Sequence, residues 1–519
     1  MPFLPAEKSW RRLFFCALAF FLLSRLLTLT AFPIFNDEAI YLQYAERIHA
    51  DWAKNKFVSI DNAYGDWKPP LQYWLAAPVI RWGNDPLVAG RAVALLVSLG
   101  GFFGFYLFAK ELFGEREGVL AAALYALCPP VLFHNNEFIA ETFLFSTAPF
   151  VYWALLKAMR PEKFRWLWLI AALICSSAIL LFKQSGTLLL VVAIFLPCAR
   201  FRRGARKDFL FNLLVVAVVI VLAKITAGLI LPSEFGAARA RFNSHWVMSA
   251  GELLKFPTAV WGANLRLVAD YCGAYYSWLV PVFFGVFLWL AWRRKNLPEI
   301  ALAAICLTSA CAIIFLLRGF NEYLFNTAVI ATLLPLLART GVLVWELAPV
   351  GSLRLARAGF LAGAGMLLAF WSYQLVLMKI APARYIERST SWARANYLRG
   401  WPTGFGIPDV VKMLEKEKRP GIIFADGQWG NPRTALEVYR DRFPNLRIVP
   451  ISRAFLDREQ TRALSEEARR TNAVRFAIFS ADPAGRRPLW QENVEREMCA
   501  ERTEIRAVSD QMPIVVCRF

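Results

Sequence analysis

Two stretches of this chain put ionisable residues where an apolar sequence has no need of them. "FNDEAIYLQYAERI" begins at Phe35, just past a long apolar run, and sets Asp37 and Glu38 side by side. "GDWKPPLQYWL", at Gly65–Leu75, holds Lys68 between an aromatic residue and two prolines. A carboxylate facing a cavity at a membrane surface can take a proton from an attacking hydroxyl or orient it. The same acids in a first helical turn are also favoured by the helix dipole, by about 0.3–1 kcal/mol, with no chemistry attached. Lys68 has two readings as well. Trp67, Tyr73 and Trp74 suit the headgroup level, where a lysine snorkels. Pro69 and Pro70 fix the backbone around it, and a rigidly held ammonium is a point charge suited to a phosphate.

Other ionisable residues add to these. Lys183, in "LLFKQSGTLLLV", occupies a short turn between two apolar runs, on the side where orientation bias disfavours cations. It is either a helix-end anchor or a functional group. In "NNEFIAETFLF", Glu141 follows Glu137 by one helical turn, so both can share a face. Glu141 falls inside the apolar boundary and needs a partner, with Lys183 and Lys68 as candidates. Arg318 and Glu322, in "RGFNEYLF", can bind an anionic headgroup or pair with each other. The 232–274 segment adds Arg239, Arg241, His245, Lys255 and Arg266 among aromatics. Together these residues predict acids and cations on one outer face. Cations there would stabilise a leaving phosphate while a carboxylate handles the nucleophile.

The elements that must position them are membrane helices. The chain of 519 residues is 57% hydrophobic and only 19% charged, too apolar for a soluble protein of this size. About eleven runs have spanning character, near 12–31, 88–109, 118–133, 140–157, 166–182, 185–198, 209–231, 275–292, 299–317, 323–347 and 358–379. The net charge of +20 comes from short clusters between those runs, which excludes nucleic acid as the first reading. Such clusters put alternate connections in the cytoplasm. The opposite side receives the 32–87 and 232–274 loops, each expected to carry interfacial helices, and everything after 380. In the first loop, Asn36 is the expected helix cap, and Gln43, Glu46 and Arg47 form the polar face of an amphipathic helix.

After residue 400 the composition changes. "GIIFAD", "LRIVPIS", "RFAIFS" and "MPIVVCRF" read as strands, and "DVVKMLEKEK" and "REQTRALSEEARRTN" as helices. The predicted fold class is therefore a polytopic α-helical membrane protein with a small C-terminal α/β domain. The boundary falls between a transmembrane catalytic domain, 1–385, and a linker plus soluble domain, 386–519. The soluble domain has no Gly-rich phosphate loop and receives no chemistry. No Cys/His spacing points to zinc, and Cys499 and Cys517 are either bridged or two free thiols.

The acidic pair after the first span, followed by "KPPLQYWL" at Lys68–Leu75, resembles the GT-C membrane glycosyltransferases of the aminoarabinose-transferase and protein O-mannosyltransferase superfamily. "FKQSGTLLLV" resembles their external turn with a phosphate-binding lysine, although Gln184 follows Lys183 where a glycine is common. "NNEFIAETFLF" lies where they have a second acidic motif. "RGFNEYLFNTAVIATLLPLL" is a loose match to their Tyr-Leu-Leu-Pro stretch. The resemblance spans roughly 10–340 in architecture. It implies a polyprenyl-phosphate-linked sugar donor, a hexosyl or pentosyl transfer with inversion, and no metal or other cofactor. Asp37 would be the base or acceptor-orienting carboxylate, supported by Glu38. Lys68, Lys183 and Arg318 would bind the donor phosphate. Glu137, Glu141, Arg241 and His245 would stand on the acceptor side or behind the reacting groups.

The implied partners are that donor, a lipid or glycan acceptor such as lipid A or a lipopolysaccharide core sugar, and membrane lipids, with no nucleic acid. The implied location is a bacterial inner membrane, crossed many times, with the active site and C-terminal domain periplasmic. Two alternatives stay open: a protein O-glycosyltransferase of the same fold, and an anionic-lipid transporter. A transporter would place ionisable residues on broken helices near the bilayer midplane, in two related halves, and the sequence contains no such repeat.

Overall fold

In the computed structural model, the described residues are 7–61, 67–160, 165–201, 206–346, 352–426, 430–451, 466, 469–471, 473–480, 499–509 and 511–519. The chain divides into two compact units. The first comprises residues 1–27, 53–75 and 92–377, and the second 28–52, 76–91 and 378–519.

The described residues of the first unit are mostly helical. Each of the eleven expected spans coincides with a helix or a bent pair of helices. Among the described residues six helices, or up to eight if each bent pair is one span, are long and apolar enough to cross a membrane. Glu322–Glu346 is the central helix and Arg206–Ile230 a peripheral one, with 89% and 22% of their most apolar windows buried. The chain bends by 64° between Glu115–Leu127 and Pro129–Asn135. The two prolines at Pro129 and Pro130 account for the break, because proline cannot donate to the preceding turn. The 232–274 segment forms helices at Ser233–Asn243, Ala250–Leu253 and Thr258–Tyr271.

The second unit is built on a five-stranded sheet. Its strands are β1 (Gly421–Asp426), β2 (Leu446–Ile451), β3 (Val474–Ser480), β4 (Glu501–Ile505) and β5 (Ile514–Arg518), in the order β2-β1-β3-β5-β4. β1 is parallel to β2 and β3, whereas β5 runs antiparallel to both β3 and β4. Ile422, Phe424, Ala477, Phe479, Val515 and Cys517 form the core of the sheet. Cys499 and Cys517 are joined in a disulfide. Helix Ile407–Lys416 buries Ile407, Val410, Val411 and Leu414 at helical spacing. The four strands expected from apolar runs are present. β4 was not foreseen, because "ERTEI" is a charged edge strand, exposed along nearly its whole length. The helix expected at "REQTRALSEEARRTN" falls mostly outside the described residues.

The helix after Phe35 also belongs to the second unit, and it corrects two expectations. It spans Asn36–Ala50, with Phe35 rather than Asn36 at the N-cap. Only part of its polar side is solvated: Arg47 is exposed, whereas Gln43 and Glu46 are buried along with Tyr41, Tyr44 and Ile48, because other segments of this unit cover them. Gln43 donates to the Thr434 carbonyl at 2.8 Å, and Glu46 lies 3.1 Å from Arg81 and 3.3 Å from Arg440.

Candidate active site

The acidic pair separates on folding. Glu38 is fully buried and receives two hydrogen bonds from the equally buried Arg91, at 2.8 Å from Nε and 2.7 Å from Nη2. Arg91 Nη1 also donates to the carbonyls of Leu29 and Phe32, both at 2.8 Å. This bidentate pair staples the chain leading into the helix to its first turn. Asp37, the next residue along, is only half-buried, and Asn36 Nδ2 faces its Oδ1 at 3.5 Å. Thus Glu38 holds the turn and Asp37 is the acid left partly open to solvent. Arg91 was overlooked in the sequence. Its signal was an arginine inside an apolar run, which is costly unless paired.

In the helical unit Lys68 is held through its backbone. Its N–H donates to the Ser59 carbonyl at 3.0 Å, and the Ser59 hydroxyl donates back to the Lys68 carbonyl at 2.9 Å. Trp67 just before it takes a left-handed conformation, φ 49°, which costs a residue with a side chain about 1 kcal/mol or more. Pro69 and Pro70 are buried, and helix Leu71–Ala76 follows. Gln72 donates to the Phe138 carbonyl at 2.8 Å, which ties this segment to the one carrying Glu137 and Glu141.

Glu141 and Lys183 pair directly, Nζ to Oε1. The carboxylate needed a partner, and Lys183 supplies it. The turn at Lys183 is closed by Gly186, where a Cβ would run into the side chain of Ile179. Lys68 stands within electrostatic reach of both members of the pair. Arg239, on helix Ser233–Asn243, stands within reach of Lys183. Burial pushes the Lys183 ammonium down; Glu141 opposes this, and Lys68 and Arg239 add to it. Lys183 and Lys68 therefore both act on the Glu141 carboxylate and Arg239 acts on Lys183, a cluster of cations suited to an anion.

Other expected residues fall elsewhere. Glu137 and Glu141 do not share a helical face, because the chain breaks after Asn135 and a new helix starts at Ala140. Glu137 lies 3.4 Å from His134 Nδ1, whose Nε2 lies 3.0 Å from the Asn326 amide. Tyr276 donates to Asn326 Oδ1 at 2.7 Å, so Glu137 ends a buried chain of four polar side chains. Arg318 and Glu322 do not pair. Arg318 holds Glu252 through Nε at 3.0 Å and Nη2 at 2.6 Å, while Glu322 accepts from Tyr275 at 2.8 Å. The Arg318 hydrogen bonds, with Ser249, bring the Glu252 carboxyl down to about 2. Arg241 and His245 are exposed, and the buried cation of their segment is Arg239. Burial separates the three, and helical spacing alone did not rank them. Among the described residues no group of three His, Cys, Asp or Glu side chains is arranged to hold a metal ion.

Residues 67–226, which include Lys68, Glu141 and Lys183, match the family of dolichyl-phosphate-mannose-protein mannosyltransferases. No curated protein matches the chain. In fold, the chain is similar to ArnT from Cupriavidus metallidurans bound to undecaprenyl phosphate, with a TM-score of 0.55 and 15% identity over 99% of this chain and 98% of that one. The apo state of the same protein gives a TM-score of 0.53, again at 15% identity over 99% and 98% of the two chains. The chain is a membrane protein with the GT-C glycosyltransferase fold.

Proposed function

We propose that the protein is a membrane glycosyltransferase that moves a single sugar from a polyprenyl-phosphate donor to an envelope acceptor, with inversion. The observation that carries this reading is the Lys183–Glu141 ion pair, with Lys68 within electrostatic reach of both members and Arg239 within reach of Lys183. In the reaction, an acceptor hydroxyl attacks the anomeric carbon as its bond to the phosphate oxygen breaks. Asp37 is the carboxylate proposed to take the hydroxyl proton, and Lys68, Lys183 and Arg239 are the cations proposed to receive the charge of the leaving polyprenyl phosphate. Fixed cations stabilise charge that develops in the transition state, which is where binding accelerates a reaction. Undecaprenyl phosphate, the ligand in the similar ArnT structure, is the natural first choice of carrier. The Cys499–Cys517 disulfide supports an oxidising compartment for the C-terminal domain, hence a periplasmic active face in a bacterial inner membrane.

The acceptor is a glycolipid such as lipid A or a lipopolysaccharide core on this reading. A protein acceptor is the second reading, favoured by the match of residues 67–226 to a protein mannosyltransferase family. Mass spectrometry of envelope lipids and glycoproteins from a deletion strain separates the two, since one class loses a sugar. Complementation with Asp37→Asn tests the chemistry. Losing a general base costs about 10²- to 10⁴-fold in rate, so the sugar stays missing while the protein remains in the membrane. Full restoration by that variant sinks the role of Asp37. Unchanged glycans with a lipid trapped in one leaflet would favour transport instead.

A further inference from the structure

The C-terminal sheet domain has no chemistry of its own, yet its residues reach the turn that carries Asp37. Asn431 is buried, and its Nδ2 lies 3.2 Å from the Ile34 carbonyl, 3.1 Å from that of Pro402 and 2.9 Å from that of Thr403. The Pro402 carbonyl also accepts from the Asn36 backbone N–H at 3.1 Å. A Cβ on Gly404 would overlap the Ile34 carbonyl, so the two backbones meet without a side chain between them. Phe35 stacks on Tyr397 with ring centroids 4.4 Å apart. The carbonyl of Asn431 in turn accepts from Ser480 at the end of β3, at 3.2 Å.

The side chains continue this grip. The Thr434 hydroxyl lies 2.8 Å from Asn36 Oδ1 and 2.9 Å from Asn431 Oδ1, and its single proton is shared between them. With Asn36 Oδ1 turned to Thr434, the amide NH₂ of Asn36 is turned to the Asp37 carboxylate. Asn36, Asn431 and Thr434 are all buried, so water cannot replace these bonds.

We infer that the C-terminal domain sets the catalytic geometry, with Asn431 and Thr434 as positioning residues that fix Asp37 through Ile34 and Asn36. This rests on Asp37 being the reacting carboxylate. The domain touches neither the sugar nor the phosphate in this role. It decides where one carboxylate points and keeps a hydrogen-bond donor against it, which favours the ionised form.

The test uses full-length purified protein and the sugar donor identified from the deletion strain. Thr434→Val keeps the shape and removes the hydroxyl, whereas Thr434→Ser keeps the hydroxyl. Thr434→Val is expected to lower kcat at least tenfold, leave the donor KM unchanged, and move the acidic limb of the pH–rate profile upward. Thr434→Ser is expected to restore both kcat and the profile. A wild-type kcat and profile in Thr434→Val would overturn the inference. So would a Thr434→Ser protein that fails as badly as the valine variant, because packing would then be the cause. Should Thr434→Val not fold, Asn36→Ala breaks the same link from the other side, and unchanged kcat there is equally fatal. If Asp37→Asn is inactive and Thr434→Val normal, this inference falls and the proposed function stands. If Asp37→Asn is fully active, the function falls first.

Discussion

Two buried carboxylates, Glu38 and Glu141, each meet a cation, and the charge around them is arranged in opposite ways. Glu38 receives two hydrogen bonds from Arg91, which also donates to the backbone carbonyls of Leu29 and Phe32. Glu141 pairs with Lys183 while Lys68 stands near both and Arg239 near Lys183. A matched pair with satisfied donors is a scaffold element. A carboxylate within reach of several cations marks a place where an anionic ligand can be held. The two carboxylates thus differ in how many cations stand within reach, rather than in burial.

The balance at Glu38 can be broken from either side. Arg91→Ala strands a buried carboxylate and is expected to cost about 3–5 kcal/mol, seen as a large fall in thermal stability. Replacing both partners, Glu38→Leu with Arg91→Leu, should recover most of that loss. If the single change were harmless, Glu38 would not be the structural member of the acidic pair.

The cluster of cations at Glu141 and Lys183 predicts a binding effect instead. Arg239→Ala is expected to raise the donor KM about tenfold, the low end of a hydrogen bond to a charged group, without lowering thermal stability. A loss of stability with unchanged KM would move Arg239 to the scaffold side of the comparison.

Glu46 sharpens the comparison, because it is buried with two arginines and burial still prevails. Burial holds its carboxyl above the usual range, against the pull of Arg440 and Arg81. A carboxyl raised on folding contributes stability below its unfolded value, near about 4.3, and loses it as pH rises through the folded value. Glu46→Gln should therefore raise the melting temperature at about pH 7 and leave it unchanged near about pH 4. A lower melting temperature at neutral pH would mean that the arginines outweigh burial. The smallest effect is expected at the exposed Arg318–Glu252 pair. Arg318→Ala should change turnover by no more than about twofold, since exposed pairs contribute little.

Much of this was legible in the sequence. Apolar runs gave the helices, and short β-rich segments gave four of the five strands, because each pattern reports burial directly. The need of Glu141 for a cationic partner followed from the cost of a lone carboxylate inside an apolar boundary, and folding chose Lys183 from the two candidates. What escaped were pairings set by folding at long range. Thr434 reaches Asn36 across a sequence separation of 398, and no local pattern encodes that contact. Glu46 looked like one residue of a solvated face until the chain returned to cover it. Arg91 left a trace that can be read in any sequence of this kind: an arginine in an apolar run demands a carboxylate.

The direct test of the cation cluster needs no knowledge of the sugar. Binding of undecaprenyl phosphate to the purified protein is measured against a Lys68→Ala/Lys183→Ala variant, with melting curves confirming that both are folded. Each lost charge-assisted contact is worth about 1.5–3 kcal/mol, so affinity should fall by at least about a hundredfold. Equal affinity in the two folded proteins would contradict the account.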